Sequence, residues 1–408
     1  MQINVDELVS GMVLEKPIHR NDGMLVLKAG TVLTDRMIQH LWAIRNNIKL
    51  IDIDSTHAEK ILEAESEQET VSLQMRSETE EALKTFLKDP SASNIYNIKK
   101  NSKEIVKSIE NENNFKYDLE SYLKQKDIHA HSVRVACFSI LLAKMHNAKL
   151  KKCYPNISQS DLIDLEDIAV AALLHDIGKS CKDSEMLSKI TEVPNVESLE
   201  KSLPGINDTP FDQYDEKYSA VYSYCIVGNM SEISNKAKLM ILLSNEPDSE
   251  KGTLKVPYRV NTQRNSIMSG AKIVHVCDIY DNAMKRTIEQ DNSLEEIASE
   301  LGYYARNGIV SSEAEQLLIN NLPLYPVGTR IKLSTGESAI VKESFVGPYD
   351  TYKPVVTTLN FHRKIDLRDT TNVTIASICS KQNLFKDIIR NQINAVKKNA
   401  QLAEYELD

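Results

Sequence analysis

No part of this chain is apolar for long enough to cross a bilayer. The longest purely apolar run is Ile168 to Leu174, against the roughly 18–20 residues a span needs. The opening MQINVDELVSG lacks a basic segment followed by an apolar one, so no secretory signal is expected. Cysteine is sparse: Cys137, Cys153, Cys181, Cys225, Cys277 and Cys379 are scattered and form no CxxC. A chain of 408 residues can bury a sizeable core without disulfide staples, so these read as reduced, mostly buried thiols of a cytoplasmic protein. Positive charge is not in excess either. With 49 basic and 58 acidic residues the formal charge is −9. That balance disfavours general DNA or RNA binding, while a local cluster of cations is still enough to hold a small anionic ligand.

The pattern along the chain implies a mainly α protein with small modules at either end. Residues 1–55 read as a small α/β unit. Apolar runs at Met12–Leu14 and Met24–Leu27 flank Asn21-Asp22-Gly23, a strong hairpin signal. Thr34 or Asp35 is placed to cap a helix carrying Met37, Leu41 and Ile44 on one face, and Ile48 to Ile53 reads as a short strand. Residues 56–125 have no glycine and a single proline, with Leu62, Leu73, Met75, Leu83, Phe86 and Leu87 near helical spacing. They read as a solvated helical spacer through which two copies could dimerise. Residues 126–320 are mainly helical. Residues 321–375 turn to strand patterns around Gly328 and Gly336, a small β-module. Residues 376–408 read as a closing amphipathic helix, with Leu384, Ile388, Ile389, Ile393 and Val396 on one face.

The chemistry concentrates in 126–320. His175-Asp176 ends an apolar helix and runs into Ile177-Gly178-Lys179. Adjacent His and Asp offer one nitrogen and one oxygen to the same cation, a donor set suited to iron, manganese or zinc rather than calcium. Gly178 would let the chain turn sharply, and Lys179 would stand beside the metal where a phosphate oxygen sits. Upstream, Asp127 and His131 are four apart at the start of an apolar helix, so both can face one way. Asp127 is equally a helix-start carboxylate that favours the dipole. His129 faces away from His131 and reads as exposed. Downstream, Asp278 lies inside the otherwise apolar helix around Ala271–Asp281, where a carboxylate is costly unless paired or metal-bound. His275 reads as a partly buried helix histidine near the site, and Asp281 as a hydrogen-bond partner rather than a ligand.

The segments HSVRVA, HDIGK and AKIVHVCDIYDNAM resemble the HD superfamily of metal-dependent phosphohydrolases and, within it, the HD-GYP family. YPVGTRIKLSTGESAIV resembles the tail that often follows that domain, and GMVLEKPI with DGMLVLKAGTVLT a common N-terminal partner. The resemblance implies an HD-type helical bundle and hydrolysis of cyclic di-GMP with two or three metals, often iron. It assigns His131, His175, Asp176 and Asp278 as metal ligands, and Asp127 in place of an upstream Glu. His175, Asp176 and Lys179 become the catalytic group, with Lys179 and Arg134 as contacts to ligand phosphate. The family's further histidines fall at Tyr224, Ser244 and Asn245 here, and its GYP loop at PDSEKGTLKVP. The site is therefore expected to hold one divalent ion, iron or manganese, and to hydrolyse cyclic di-GMP weakly. The chain is then a reduced phosphodiesterase or a signalling protein that responds to a cyclic di-nucleotide. The alternatives are an inactive ligand- or partner-binding module and an HD hydrolase of another phosphate ester.

Overall fold

The computed structural model describes residues 2–3, 13–45, 48, 51–52, 71–111, 117, 128–182, 184–190, 193–194, 204–248, 252–254, 266–290, 294–358 and 363–379. The chain forms two compact units, one combining 1–67, 327–343 and 353–408, the other combining 68–326 and 344–352.

In the first unit, β1 (Gln2–Ile3) pairs with β4 (Ile51–Asp52), and β2 (Ile18–His19) with β3 (Leu25–Leu27) across the expected hairpin. Gly23 holds φ +86° there, a conformation that favours glycine, and Asp22 Oδ1 accepts from the Met24 amide. Between β3 and β4 runs α1 (Asp35–Ala43), capped by Thr34, whose hydroxyl accepts from the Met37 amide. Leu14, Ile18, Leu33, Ile38, Leu41 and Ile51 form this module's small core.

Residues 71–111 of the stretch expected as a solvated spacer are instead packed into the helical unit. Helix α2 (Leu73–Lys88) is capped by Ser72, and α3 (Ala92–Asn111) follows it. Leu83, Phe86, Ile95, Ile98, Ile105 and Ile109 are fully buried, because their stripe lies against α4 (Ile128–Cys153) and α5 (Leu165–Leu174). The apolar face that suggested dimerisation is thus covered from within the chain. Leu62 lies outside the described residues, as does the side chain of Leu73.

Helix α5 is the centre of the unit. Asp164 caps it by accepting from the amides of Glu166 and Asp167, and Asn147 of α4 clamps the backbone N–H and C=O of Ile163 just before it. Every residue from Ile168 to Leu174 is buried, so α5 needs neighbours on all sides. They are α3, α4, α8 (Asn235–Leu243) and α9 (Ser266–Glu289). Burying each large apolar side chain there is worth roughly 1.5–3 kcal/mol. The short α6 (Ser184–Ser188), α7 (Ser219–Val227), α10 (Glu295–Arg306) and α11 (Ser312–Ile319) complete the helices.

The expected β-module exists, with different limits. Strands β5 (Arg330–Leu333), β6 (Ser338–Glu343), β7 (Val355–Thr358), β8 (Lys364–Asp366) and β9 (Ile375–Ile378) form one antiparallel sheet in the order β8-β7-β6-β5-β9. Gly336 makes the β5–β6 turn at φ +84°. Residues 321–326 and 344–352 belong to the helical unit. Gly347 N donates to Ile319 O, Leu324 N to the Thr351 hydroxyl, and Ser344 to Tyr325 O. At the other end the strand β9 occupies 375–378, where the closing helix was expected to begin. Residues 380–408 lie outside the described residues.

Candidate metal centre

The candidate metal cluster is built from three helices. Helix α4 brings His131, α9 brings Asp278, and the end of α5 brings His175 and Asp176. Helix α5 ends because a 3-10 turn, Ile177–Lys182, follows it. Gly178 works by absence of a side chain and not through a special φ. A Cβ there would overlap the Ser219 carbonyl oxygen of α7 and lie 2.5 Å from the Ser223 amide. Close approach lets the Ser223 hydroxyl accept from Gly178 N and donate to His175 O, which locks the His-Asp turn onto α7.

One ligand atom from each of His131, His175, Asp176 and Asp278 lies within 4.8 Å of the others. His131 Nε2 is 3.1 Å from Asp278 Oδ1 and 3.5 Å from Asp176 Oδ2. His175 Nε2 is 3.6 Å from Asp176 Oδ1 and 3.7 Å from Asp278 Oδ1. Both imidazoles are oriented through their other nitrogen. His175 Nδ1 donates to Ala172 O at 2.7 Å, and His131 Nδ1 donates to Asp281 Oδ2 at 2.7 Å. Both Nε2 atoms are thereby turned to the common point, as metal-binding histidines require.

Three buried atoms of the cluster make no hydrogen bond: His131 Nε2, His175 Nε2 and Asp176 Oδ1. Buried polar atoms rarely stay unsatisfied. A divalent cation coordinated by two imidazoles and two carboxylates satisfies all three, and its charge offsets the carboxylates. The residues therefore fit a metal. The charges respond in the same sense. Burial opposes a proton on His131, but Asp176, Asp278 and Asp281 outweigh it and push its pKa well above the usual imidazole value. For His175 burial is likewise outweighed, by Asp176 and Asp278. Burial works against the charged form of Asp278 as well, yet the two histidines hold its pKa well below the ordinary range.

The other expected residues fall in varied places. Asp127 lies outside the described residues. Lys179 donates to Asp176 Oδ2 at 2.5 Å with about a quarter of its side chain exposed. Arg134, expected at a ligand phosphate, is buried in a bidentate pair with Asp281, at 2.9 and 3.0 Å. A buried guanidinium needs a carboxylate across from it, and α9 supplies one. Asp281, fully buried, thus orients His131 and is itself held by Arg134. His129, expected as exposed, is half-buried and lines a cavity beside the cluster. His275 is buried, which lowers its pKa.

Sequence reasoning missed the Arg134–Asp281 pairing and the Ser223 lock. The first had a readable signal. Arg134 follows His131 by three residues, and Asp281 follows Asp278 by three, so each pair shares a helix face. The Ser223 lock had none, since it joins residues distant in sequence. We expect Asp281→Asn to weaken metal affinity about 10–100-fold with the four ligands intact. A metal titration of the folded variant that matches wild type would refute the orienting role.

The positions expected to lack a second metal are engaged otherwise. The Ser244 hydroxyl bonds back to Ile241 O, Asn245 Nδ2 donates to the Ser219 hydroxyl, and the Tyr224 hydroxyl donates to Pro194 O at 3.4 Å. Glu246 accepts from Leu254 N, and burial raises its pKa to about 7. Among the described residues, the four-residue cluster is the one such group able to hold a metal.

A largely buried His-His-Asp-Asp constellation on a helical bundle, able to hold a metal ion, is an arrangement of the phosphohydrolase type. Residues 128–283 match the HD domain family model, and this part of the chain is an HD domain. No curated protein matches the chain. A solved HDG"Y"P protein from Bdellovibrio bacteriovorus is similar at 16% identity and a TM-score of 0.41, covering 78% of this chain and 97% of that one. Among the described residues no helix is long and apolar enough to cross a membrane.

Proposed function

We propose that this chain is an HD-GYP-type signalling protein with a one-metal phosphohydrolase site, acting in the cytoplasm, for which cyclic di-GMP is at best a slow substrate. The observation that carries this reading is the set of three unsatisfied buried atoms converging with Asp278 on one point. Iron or manganese suits two imidazoles and two carboxylates. When bound, such an ion supplies Lewis-acid chemistry and an activated water. The chain's own groups do the rest. Asp281 and Ala172 O hold the two imidazoles with Nε2 toward the ion, and Asp176 links the cluster to Lys179. That ammonium, at the exposed edge, is placed to neutralise charge on a phosphoryl oxygen.

Slow turnover of cyclic di-GMP follows from counting ligands. Two-metal phosphodiester cleavage stabilises both the attacking and the leaving oxygen, and the described residues converge on one position only. Purified protein should therefore carry close to one equivalent of iron or manganese by elemental analysis. It should cleave cyclic di-GMP well below the roughly 1 per second of an ordinary enzyme. Two tightly held ions with ordinary turnover would overturn the one-metal reading. Protein that takes up no divalent ion under any loading condition would overturn the phosphohydrolase reading itself.

A further inference from the structure

Resting on the phosphohydrolase reading above, we propose that helix α2 sets the size of the ester this site accepts, through Leu83 and Leu87. A cavity of about 210 Å³ reaches the metal cluster at Asp176 and Lys179. Its lining carries two chemistries: Asp176, Lys179 and Ser180, with His129 and Ser132, are polar, while Leu83 and Leu87 of α2, with Leu173 and Ile177, are apolar. A phosphate ester has the same mixed character. Its anionic end belongs at the Lys179 ammonium, and its organic group belongs against the leucines, where apolar surface leaves water.

The volume decides which esters fit. Sites for drug-sized ligands run to roughly 300–1,000 Å³, so about 210 Å³ matches a phosphate bearing one ring better than a macrocycle of two nucleotides. The ligand class is thus a phosphomonoester with a single compact apolar group. The wall lies outside the matched residues 128–283, since α2 ends at Lys88. It is also firmly placed. Leu83 is fully buried and Phe86 beside it anchors α2 in the core, while half-buried Leu87 faces the cavity at lower cost to stability.

The test is calorimetric binding to metal-loaded, full-length protein, with inorganic phosphate, phenyl phosphate and cyclic di-GMP as probes. Wild type should bind phenyl phosphate about tenfold more tightly than inorganic phosphate, and cyclic di-GMP more weakly than phenyl phosphate. Leu87→Ala should lose most of the preference for the phenyl group while keeping its affinity for inorganic phosphate. Leu87→Met, of similar volume, should retain the preference and controls for folding. Equal affinity for the two small probes in wild type, an unchanged preference in Leu87→Ala, or tighter binding of cyclic di-GMP would overturn the α2 wall. Failure to bind any phosphate probe would overturn the phosphohydrolase reading beneath it, and the proposal with it.

Discussion

Asp278→Ala is expected to strip the metal from the protein, with affinity falling by about a hundredfold or more, beyond the 10–100-fold typical of losing a mere orienting partner. Asp278 Oδ1 stands within 3.1 Å of His131 Nε2 and 3.7 Å of His175 Nε2. One oxygen of Asp278 thus serves both imidazoles, whereas Asp176 meets them with a different oxygen each. Asn282 donates to that Asp278 oxygen at 2.7 Å, which fixes its direction. Without Asp278, water must fill the vacated position and the remaining three groups hold the ion poorly. Elemental analysis of the purified variant, beside wild type loaded in the same buffer, gives the answer. A variant with wild-type metal content would sink the assignment of the ligands.

The same cluster sets a pH dependence whose sign can be worked out. Without metal, protons on His131 and His175 neutralise the carboxylates, which is why both pKa values rise. Metal must displace those protons. Affinity should therefore climb with pH past 6.5, the ordinary imidazole value, and flatten only above the raised His131 pKa. Binding should release protons to the buffer throughout that window. Metal-free protein should behave in the opposite sense. A raised pKa contributes stability that is present below the unfolded value and is lost as pH rises through the folded one. Metal restores at high pH what proton loss removes. Affinity that is flat from pH 6 upward, with no proton release in calorimetry, would contradict this exchange.

Gly178→Ala is expected to destabilise the helical unit by about 3 kcal/mol or more, at the upper end of overpacking effects. The added methyl group would meet backbone and not a pliable side chain. Both the Ser219 carbonyl and the Ser223 amide lie in its way, and they belong to a helix whose Tyr222 and Val227 are fully buried. Helix α7 would have to shift. The Ser223 hydroxyl would then lose its bonds to Gly178 N and His175 O, and the His-Asp turn would lose its register against the cluster. Urea unfolding should show a lower midpoint, and metal content should fall with it. A loss below about 0.5 kcal/mol, the scale of an ordinary surface substitution, would show that α7 yields easily.

Three of the four candidate metal ligands are legible in the amino-acid sequence because they break a local rule. Asp278 interrupts an apolar helix, and His175-Asp176 closes a run, Ile168 to Leu174, that is otherwise entirely hydrophobic. Polar groups in such settings demand a reason. His131, at the start of its own apolar helix, joins them through the order of the motifs along the chain. The hairpin at Asp22-Gly23 and the strands around Gly336 are legible for a related reason, since their turn chemistry is local.

Helices α2 and α3 show where local reading stops. Their stripe of Leu83, Phe86, Ile95 and Ile98 is amphipathic, and amphipathic spacing states only that one face will be covered. Whether a second chain, solvent or this chain's own α4 and α5 covers it depends on how the elements assemble. Assigning that face to solvent or a second copy makes a spacer of what is the outer layer of the domain. Arg134 makes the same point, for a cation's partner is set by what lies across the gap, and here that is Asp281 from α9. By itself, then, the sequence determined which residues could not be inert: the histidines and aspartates whose burial is unfavourable without a cation. Only the tertiary structure decided that they meet at one point, that Asp281 and Ala172 aim them, and that Leu83 and Leu87 wall the cavity beside them. Those are matters of distance between residues far apart in sequence, and no periodicity encodes them.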